Sequence, residues 1–344
     1  MRFIENCWYA VAFSSELGDG LVPRTVLGDD VVFYRTATGQ PVALRDRCPH
    51  RLLPLSKGKR CGDHVQCGYH GLTFDTTGAC VRVPGQERIP PTAKVRSWPL
   101  AERYGLVFLW AGDPDQADAS ALPHLPVWHL PDWGRSIGPR LLFGSNYLAI
   151  LENLLDPAHT TFVHARTIGN AAAADVQTRT EQQGDSIAAH RWVENAEPVP
   201  LMQRFGSFDG MVDRWQIYTL TPPAFSMVDF GAVVAGGARD EAARNAGFRI
   251  LSYAFLTPET ETATHYFWFQ LRNFQPHDEA VSAELVRLYA ATFEEDRDIL
   301  ETIQRIESAS GETPQVNIAS DAGGARMRRM IAERLLAQET AQAA

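Results

Sequence analysis

Four residues in the first quarter of the chain place thiol and imidazole side chains in a repeated order. Cys48 and His50 are separated by one residue, sixteen residues lie between His50 and Cys67, and Cys67 and His70 are separated by two. Each short segment therefore carries one cysteine and one histidine. This ligand set suits a 2Fe–2S cluster in which two thiolates bind one iron and two imidazoles bind the other. The sequence predicts such a cluster, held between two loops.

Two cysteines and two histidines can also hold a structural zinc ion, which is the alternative to a cluster. Zinc modules usually pair like ligands, with two cysteines in one segment and two histidines in another. Here each segment mixes the two types, which favours the cluster. The surrounding glycines would let the backbone turn tightly and bring N–H groups close to the cluster sulfurs. They are Gly58, Gly62, Gly68 and Gly71.

Two histidines in the middle of the chain, His159 and His164, are candidates for a second metal site. Iron that activates oxygen is often held by two histidines and one carboxylate on one face, with other positions left open. A spacing of five does not place both rings on one face of a regular helix. We therefore expect either an irregular turn here or only one histidine ligand. Pro157 favours an irregular turn because proline interrupts a helix.

A candidate for the carboxylate is Asp296, on a long helix predicted over residues 278–307. One face of this helix is otherwise largely apolar, with spacings of three and four: Leu285, Tyr289, Thr292, Asp296, Leu300 and Ile303. A carboxylate on a buried face is costly unless it is paired or binds a metal. Asp296 therefore binds a metal or forms a salt bridge with an arginine such as Arg204 or Arg272. The neighbouring acids are expected to be solvated: Glu294, Glu295 and Asp298.

Nearly the whole chain resembles the Rieske non-heme iron oxygenases. Within them it is similar to the oxygenase components of vanillate O-demethylase, dicamba monooxygenase and toluenesulfonate methyl-monooxygenase. The resemblance implies that Cys48 and Cys67 bind one iron of the cluster and that His50 and His70 bind the other. It also implies that a mononuclear iron is held by His159, His164 and Asp296.

The resemblance implies roles for two further residues beside the iron site. Asp156 would bridge the first iron-binding histidine to a cluster histidine of a neighbouring subunit, so that one carboxylate orients both rings. Asn153 would lie near the iron without usually binding it. The local alternative for Asp156 is a helix cap before Pro157 at the first helical position. We include Asp156 and Asn153 among the candidate catalytic residues.

The chain of 344 residues is long enough for two domains. Residues 1–116 alternate short β-rich segments with turn signals, which predicts an all-β Rieske domain. A polar, proline-containing linker is expected over 115–139. Residues 117–344 mix strands and helices, with loops expected at 171–174 and 235–245. For this catalytic domain the resemblance implies a helix-grip (START-like) fold with an antiparallel sheet, so the predicted class is α+β.

Composition restricts the partners. A formal net charge of −9 argues against nucleic acid as a partner. The sequence contains no run of 18 apolar residues, the length needed to span a membrane. The first residues carry an acid and an amide where a signal peptide needs an apolar core. Beyond the two cluster cysteines, three cysteines remain, an odd number typical of free thiols. A cytoplasmic location is therefore expected.

These features predict the oxygenase component of a Rieske monooxygenase, which uses O2. The chain lacks a strand–GxGxxG–helix fingerprint, so NAD(P)H would act only through a separate reductase, with a reductase or ferredoxin as electron donor. The resemblance implies aromatic catabolism by hydroxylation of a methyl or methoxy group (O-demethylation) of a small anionic aromatic, and a homotrimer. Three alternatives remain: an aromatic ring hydroxylase or dioxygenase, a Rieske electron carrier, and a module that binds an apolar ligand.

A single arginine is a candidate for recognising the substrate anion, such as a methoxybenzoate or a methylated arene sulfonate. Arg249 begins a predicted strand that ends at Phe255 and follows a segment expected to be a loop. A guanidinium group matches a carboxylate or sulfonate through two parallel hydrogen bonds. The alternative is an exposed arginine at the end of a strand.

Overall fold

The computed structural model describes residues 3–313 and 316–343. The chain divides into two compact units. The first comprises residues up to Leu122 together with Thr257–Glu261, and the second comprises Pro123–Leu256 and the residues from Thr262 onward. The predicted α+β class is confirmed, because the first unit is built from strands and the second combines a large sheet with helices.

The first unit contains three small sheets, with strand orders β1–β11–β10, β2–β3–β4–β9 and β5–β6–β7–β8. All strand pairs within these sheets are antiparallel. The strands are β1 Cys7–Phe13, β2 Val22–Val26, β3 Asp29–Arg35, β4 Pro41–Arg45, β5 Lys59–Cys61, β6 His64–Gln66, β7 Thr73–Phe74, β8 Cys80–Arg82, β9 Ser97–Trp98, β10 Leu100–Arg103 and β11 Leu106–Ala111.

A tight turn after β7 fixes the register of the third sheet. The Asp75 carboxylate accepts hydrogen bonds from the backbone N–H groups of Thr77, at 2.9 Å, and Ala79, at 3.0 Å. Gly78 follows with a φ of 83°, a left-handed conformation that glycine adopts without a steric penalty. This turn joins β7 to β8 as an antiparallel hairpin. It lies beside a core that includes both Cys48 and Cys67.

The second unit is organised around one eight-stranded sheet with the order β12–β19–β18–β17–β16–β15–β14, in which β13 also pairs with β19. Its strands are β12 Gly134–Ile137, β13 Leu141–Phe143, β14 Arg179–Gln183, β15 Ser186–Ala196, β16 Val212–Thr221, β17 Phe225–Val234, β18 Phe248–Pro258 and β19 Thr264–Arg272. The helices are α1 Tyr147–Asn153, α2 Thr160–Val163, α3 Pro200–Phe205, α4 Glu241–Ala246, α5 Glu279–Ser310 and α6 Ala322–Ala343. Within the described ranges, no helix is both long enough and apolar enough to cross a membrane.

The long helix α5 packs against this sheet. Asp278 caps its first turn by accepting hydrogen bonds from two backbone N–H groups, and Gly311 ends it at a φ of 69°. The Phe293 ring lies about 5 Å from the rings of Tyr266 and Trp268 on β19, at 5.1 and 5.0 Å respectively. The predicted face is buried from Leu285 to Leu300. Ile303, predicted to continue it, is instead 43% exposed, because the buried face ends one turn earlier.

Two sequence expectations about loops are wrong. The segment expected to be a linker over 115–139 contains β12, and Trp128 and Trp133 within it are buried. The segment is therefore packed and is not an exposed linker, which its polar composition did not indicate. The loop expected over 235–245 ends in α4, because Asp240 caps the helix by accepting from the Ala243 N–H at 2.8 Å. Residues 171–173 form one 3-10 turn.

Candidate metal centres and active-site cavity

The two cluster loops of the first unit have the same backbone arrangement. In each loop the cysteine carbonyl accepts from the N–H four residues later, Leu52 in one and Gly71 in the other, at 2.9 and 3.2 Å. Both of these residues have a left-handed φ, 63° and 71°. The cysteine N–H also donates to the carbonyl five residues later in both loops. The two loops are therefore structural equivalents, although the cysteine-to-histidine spacing differs by one residue.

These loops arrange the four predicted ligands as a cysteine pair and a histidine pair, with one member of each pair from each loop. Cys48 and Cys67 are buried, whereas His50 and His70 are exposed. The centroids of the two imidazole rings lie 4.5 Å apart. A cysteine pair and a histidine pair, each shared between the two loops, fit a 2Fe–2S cluster with different ligands on its two irons.

Close packing at a glycine keeps the loops together. A Cβ atom on Gly58 would lie 2.0 Å from the carbonyl oxygen of Gln66, which immediately precedes Cys67. The Cys48 thiol also interacts with that of Cys67, and burial, with a contribution from Cys67, raises the pKa of Cys48 to about 11. The Cys48 thiol therefore ionises poorly by itself, and bound iron would supply the positive charge that stabilises its thiolate.

In the second unit the two candidate histidines lie at opposite ends of α2. This helix has four residues, His159 immediately precedes it and His164 immediately follows it. The difficulty that a spacing of five poses for a regular helix therefore does not arise. The two rings are nearly perpendicular, at 78°, with centroids 5.1 Å apart.

Asp296 on α5 completes this group. Its Oδ1 lies 3.1 Å from Nε2 of His164 and 3.6 Å from Nε2 of His159. Ligand atoms bound at right angles with metal–ligand bonds of about 2.1 Å would be about 3 Å apart. The three side chains therefore fit one metal ion as a facial triad with open positions opposite.

The arginines considered as partners of Asp296 are engaged elsewhere. Arg204 pairs with Glu284. Arg272 donates to Ser136 and to the backbone carbonyls of Phe274, Gln275 and Asp278. The salt-bridge alternative for Asp296 is therefore wrong, and the metal alternative remains.

The two histidines have different electrostatic environments. Burial lowers the pKa of His159, an effect to which His164 adds and which Asp296 opposes. Burial also opposes protonation of His164, but hydrogen bonds with Asp296 and Glu295 raise its pKa. His159 is thus kept neutral, the form in which imidazole binds a metal.

Two further side chains orient these groups. Nδ1 of His164 lies 2.7 Å from Oε2 of Glu295, so the ring N–H can donate to that carboxylate while Nε2 faces Asp296. Asn153, at the end of α1, donates to Oδ1 of Asp296 at 3.0 Å. Glu295 was expected to be solvated, and this is wrong. The sequence missed it because its position off the apolar face of α5 gave no signal of a partner on another segment.

Two roles were considered for Asp156, a helix cap and a neighbour of an iron-binding histidine, and its contacts include both. Its carboxylate accepts from the N–H groups of Ala158, at 2.8 Å, and His159, at 3.3 Å. Oδ2 also lies 3.8 Å from Nδ1 of His159, and this nitrogen has no hydrogen-bond partner among the described residues. Asp156 is therefore a cap for the turn that begins α2 and is also adjacent to the back of a candidate iron ligand.

A cavity adjoins the triad and occupies about 550 Å³, its open mouth included. Its apolar wall consists of Leu154, Ile168, Val228, Phe230 and Phe293. Its polar wall, apart from the triad and Asn153, consists of Thr160, Gln216, Tyr218, Ser252, Tyr289 and Thr292. The apolar and aromatic lining suits a substituted benzene ring.

The prediction that Arg249 binds the substrate anion needs correction. The side chain is buried and donates to both carboxylate oxygens of Asp229, at 2.9 and 2.6 Å. It also donates to Glu241 and Asn245, and it is not among the residues that line the cavity. Because internal acceptors occupy this guanidinium, we assign Arg249 to the packing between β17, β18 and α4.

Comparison with known proteins agrees with this arrangement. Residues 7–99 match the Rieske [2Fe-2S] domain family, and residues 143–337 match the family described as the vanillate O-demethylase oxygenase C-terminal domain. The chain belongs to the Rieske oxygenase components with a catalytic domain of this type. It is similar to the iron-sulfur subunit of a toluene-4-sulfonate monooxygenase system from Comamonas testosteroni, with 39% identity over 98% of both chains.

Other members of the family support the same assignment. The vanillate O-demethylase oxygenase subunit of a Pseudomonas species is 34% identical over 99% of this chain and 98% of its own. A crystal structure of dicamba monooxygenase with non-heme iron and dicamba superposes with a TM-score of 0.84 at 28% identity, covering 99% of both chains. This Rieske oxygenase component is therefore an enzyme with a 2Fe–2S domain and a non-heme iron domain, which uses O2 and electrons from a separate reductase or ferredoxin.

Proposed function

We propose that this chain is the oxygenase component of a monooxygenase that hydroxylates a methyl or methoxy group of a small anionic aromatic compound. The observation that carries the proposal is the position of the His159, His164 and Asp296 triad at the wall of a cavity with aromatic lining. The relatives named for toluene-4-sulfonate and vanillate supply the substrate classes, a methyl arene sulfonate and a methoxybenzoate.

The residues divide between two functions. We assign Cys48, Cys67, His50 and His70 to the cluster in a Rieske domain of residues 1–116. The triad belongs to a catalytic domain of residues 117–344. The bound metals would supply one-electron transfer and oxygen activation. Within the chain, Asn153 and Glu295 orient the triad, and the apolar wall holds the substrate ring and excludes water.

We also assign a homotrimer in which Asp156 of one subunit meets a cluster histidine of another. The exposed His50 and His70 rings and the partly exposed Asp156 carboxylate support this assignment. A reducing cytoplasm is the proposed location, since the three cysteines outside the cluster, Cys7, Cys61 and Cys80, are free thiols.

The test combines metal analysis with product analysis. Purified protein should contain about three irons per chain, two from the cluster and one from the triad. With a reductase and O2, vanillate should release formaldehyde, or toluene-4-sulfonate should give its hydroxymethyl product. A cis-dihydrodiol from either compound would instead indicate ring dioxygenation, and a value of two irons would indicate an electron carrier.

A further inference from the structure

The polar wall of the cavity is built by neighbouring strands β15 and β16. Arg191 on β15 lies opposite Gln216 on β16 in the antiparallel register. Side chains alternate between the two faces of a strand, so Arg214, Gln216 and Tyr218 lie on the same face of β16. Gln216 and Tyr218 line the cavity. This face therefore presents a row of polar groups to whatever occupies the cavity.

Arg191 determines which way the Gln216 amide points. Its Nε donates to Oε1 of Gln216 at 2.7 Å. A guanidinium has only donors, so the amide oxygen must face it and the NH2 group must face away. That NH2 group lies 3.3 Å from Oγ1 of Thr160 and 3.4 Å from the Tyr218 hydroxyl oxygen. Gln216 therefore directs its N–H donors toward Thr160 and Tyr218 at the wall of the cavity.

The two tyrosines of the cavity are donors as well. The Tyr218 oxygen accepts from Gln216, which leaves its own proton to be donated, and no residue in 3–313 or 316–343 accepts that proton. The Tyr289 hydroxyl likewise has no hydrogen-bond partner in these ranges. Burial raises the pKa of both tyrosines, so both hydroxyls stay protonated. Both hydroxyl protons are therefore available to an acceptor in the cavity.

The charge behind this wall is positive. Arg191 and Arg214 are 3% and 2% exposed, and within the described chain neither forms an ion pair with a carboxylate. Arg191 donates to backbone carbonyls and to Gln216, while Asp156 acts on it only through space. Arg214 donates to Asn170 at 2.7 Å, and its Nε has no partner. Buried charges without counter-charges are costly, and an anion in the cavity would offset this cost.

We propose that the hydroxyl protons of Tyr218 and Tyr289 bind the carboxylate or sulfonate group of an aromatic substrate, and that the Gln216 NH2 group keeps the Tyr218 oxygen in its acceptor role. Arg191 is the positioning residue that holds the Gln216 amide. Tyr289 lies seven residues before Asp296 on α5, an axial rise of about 10 Å, so a substituted benzene ring can extend from the donors to the triad. The inference rests on the proposed function and specifies how its substrate class is recognised.

The test compares two ligands of similar shape, toluene-4-sulfonate and the uncharged 4-isopropyltoluene, by calorimetry on the anaerobic holoenzyme. The variants are Tyr218→Phe, Tyr289→Phe and Gln216→Glu, and the control is Tyr34→Phe, which removes a buried hydroxyl in the other unit. Each cavity variant should weaken sulfonate binding about tenfold or more, since hydrogen bonds to charged groups are among the stronger ones. Binding of 4-isopropyltoluene should change less than twofold.

Gln216→Glu separates recognition from structure. It keeps the size of the side chain and places a carboxylate beside Arg191, so the thermal midpoint should not fall. It also replaces the N–H donors with oxygen atoms that repel an anion. Weakened sulfonate binding with an unchanged midpoint therefore supports the proposal. Equal losses for both ligands, or wild-type sulfonate affinity in a Tyr218→Phe/Tyr289→Phe double variant, would overturn it.

The outcomes also distinguish this inference from the proposed function. If wild-type protein binds 4-isopropyltoluene but neither toluene-4-sulfonate nor vanillate, the donor site is wrong while an oxygenase function stands. If neither class of ligand binds, the donor site is wrong as well. Iron content is measured on the same samples. Selective sulfonate binding in protein that contains only two irons would support the donor site and contradict the proposed function.

Discussion

At the scale of single residues, the orientation of a candidate iron-binding histidine depends on the side chain that contacts its other ring nitrogen. Glu295 fixes His164 by a 2.7 Å contact to Nδ1, which leaves Nε2 free to bind a metal. Removal of such a partner typically weakens metal binding 10–100-fold. We therefore expect Glu295→Ala to show about this loss of affinity for the mononuclear iron in a chelator competition, with an unchanged cluster spectrum.

The matched control for Glu295 is its neighbour Glu294. Glu294 is exposed and pairs with Arg297 one turn along α5, so Glu294→Ala should keep wild-type iron affinity. If both variants lose iron equally, the effect comes from the helix and not from the contact with His164.

Asp296 carries the second prediction at this scale. Asp296→Ala removes the carboxylate that lies within 3.6 Å of both histidine rings. The iron content should fall from about three to about two per chain, turnover should be lost, and the cluster absorption should remain. Asp298→Ala, two residues later on the exposed side of α5, serves as the control. An Asp296→Ala variant with three irons and normal turnover would place the third ligand elsewhere.

At the scale of elements, strands β17 and β18 are joined to α4 through one buried arginine. The side chain of Arg249 is 8% exposed and pairs with Asp229, which is 5% exposed. Loss of one partner of a buried pair typically costs about 3–5 kcal/mol. Asp229 keeps Arg244 and the Trp215 N–H as partners, so we expect Arg249→Ala to destabilise the fold by about 3 kcal/mol in chemical denaturation.

The control and a second measurement separate stability from substrate recognition. Arg287 is 75% exposed in its ion pair, so Arg287→Ala should cost less than about 1 kcal/mol. The folded Arg249→Ala protein should bind toluene-4-sulfonate with wild-type affinity. A selective loss of sulfonate affinity without a loss of stability would restore Arg249 as a substrate contact.

Local patterns in the sequence were sufficient for much of the fold and less informative about the contacts between segments. β-rich segments between turn signals predicted the all-β character of the first unit, and the spacing along α5 predicted both the helix and the burial of Asp296. The contact between Glu295 and His164 joins residues 131 positions apart, and no local pattern encodes it. The same limit applies to Arg249, whose partner Asp229 lies on a neighbouring strand, and to the orientation of Gln216 by Arg191.

At the scale of the whole molecule, the two metal motifs belong to different compact units. In one unit the rings of His50 and His70 are exposed, and in the other Asp156 is partly exposed beside His159. Groups with this exposure are available to another copy of the chain. Head-to-tail contacts of this kind close into a ring when the rotation between subunits permits, which is the basis for the proposed trimer.

Asp156→Asn tests this assembly. The amide keeps an oxygen that can accept from the Ala158 N–H, as Oδ1 does at 2.8 Å, so the turn before α2 and both metals should be retained. It loses the charge with which a carboxylate accepts from two imidazoles at once. In a single turnover with the cluster reduced beforehand, its reoxidation after addition of substrate and O2 should therefore be much slower than in the wild type. Wild-type reoxidation in this variant, or full activity of a monomer in sedimentation, would contradict a route between subunits.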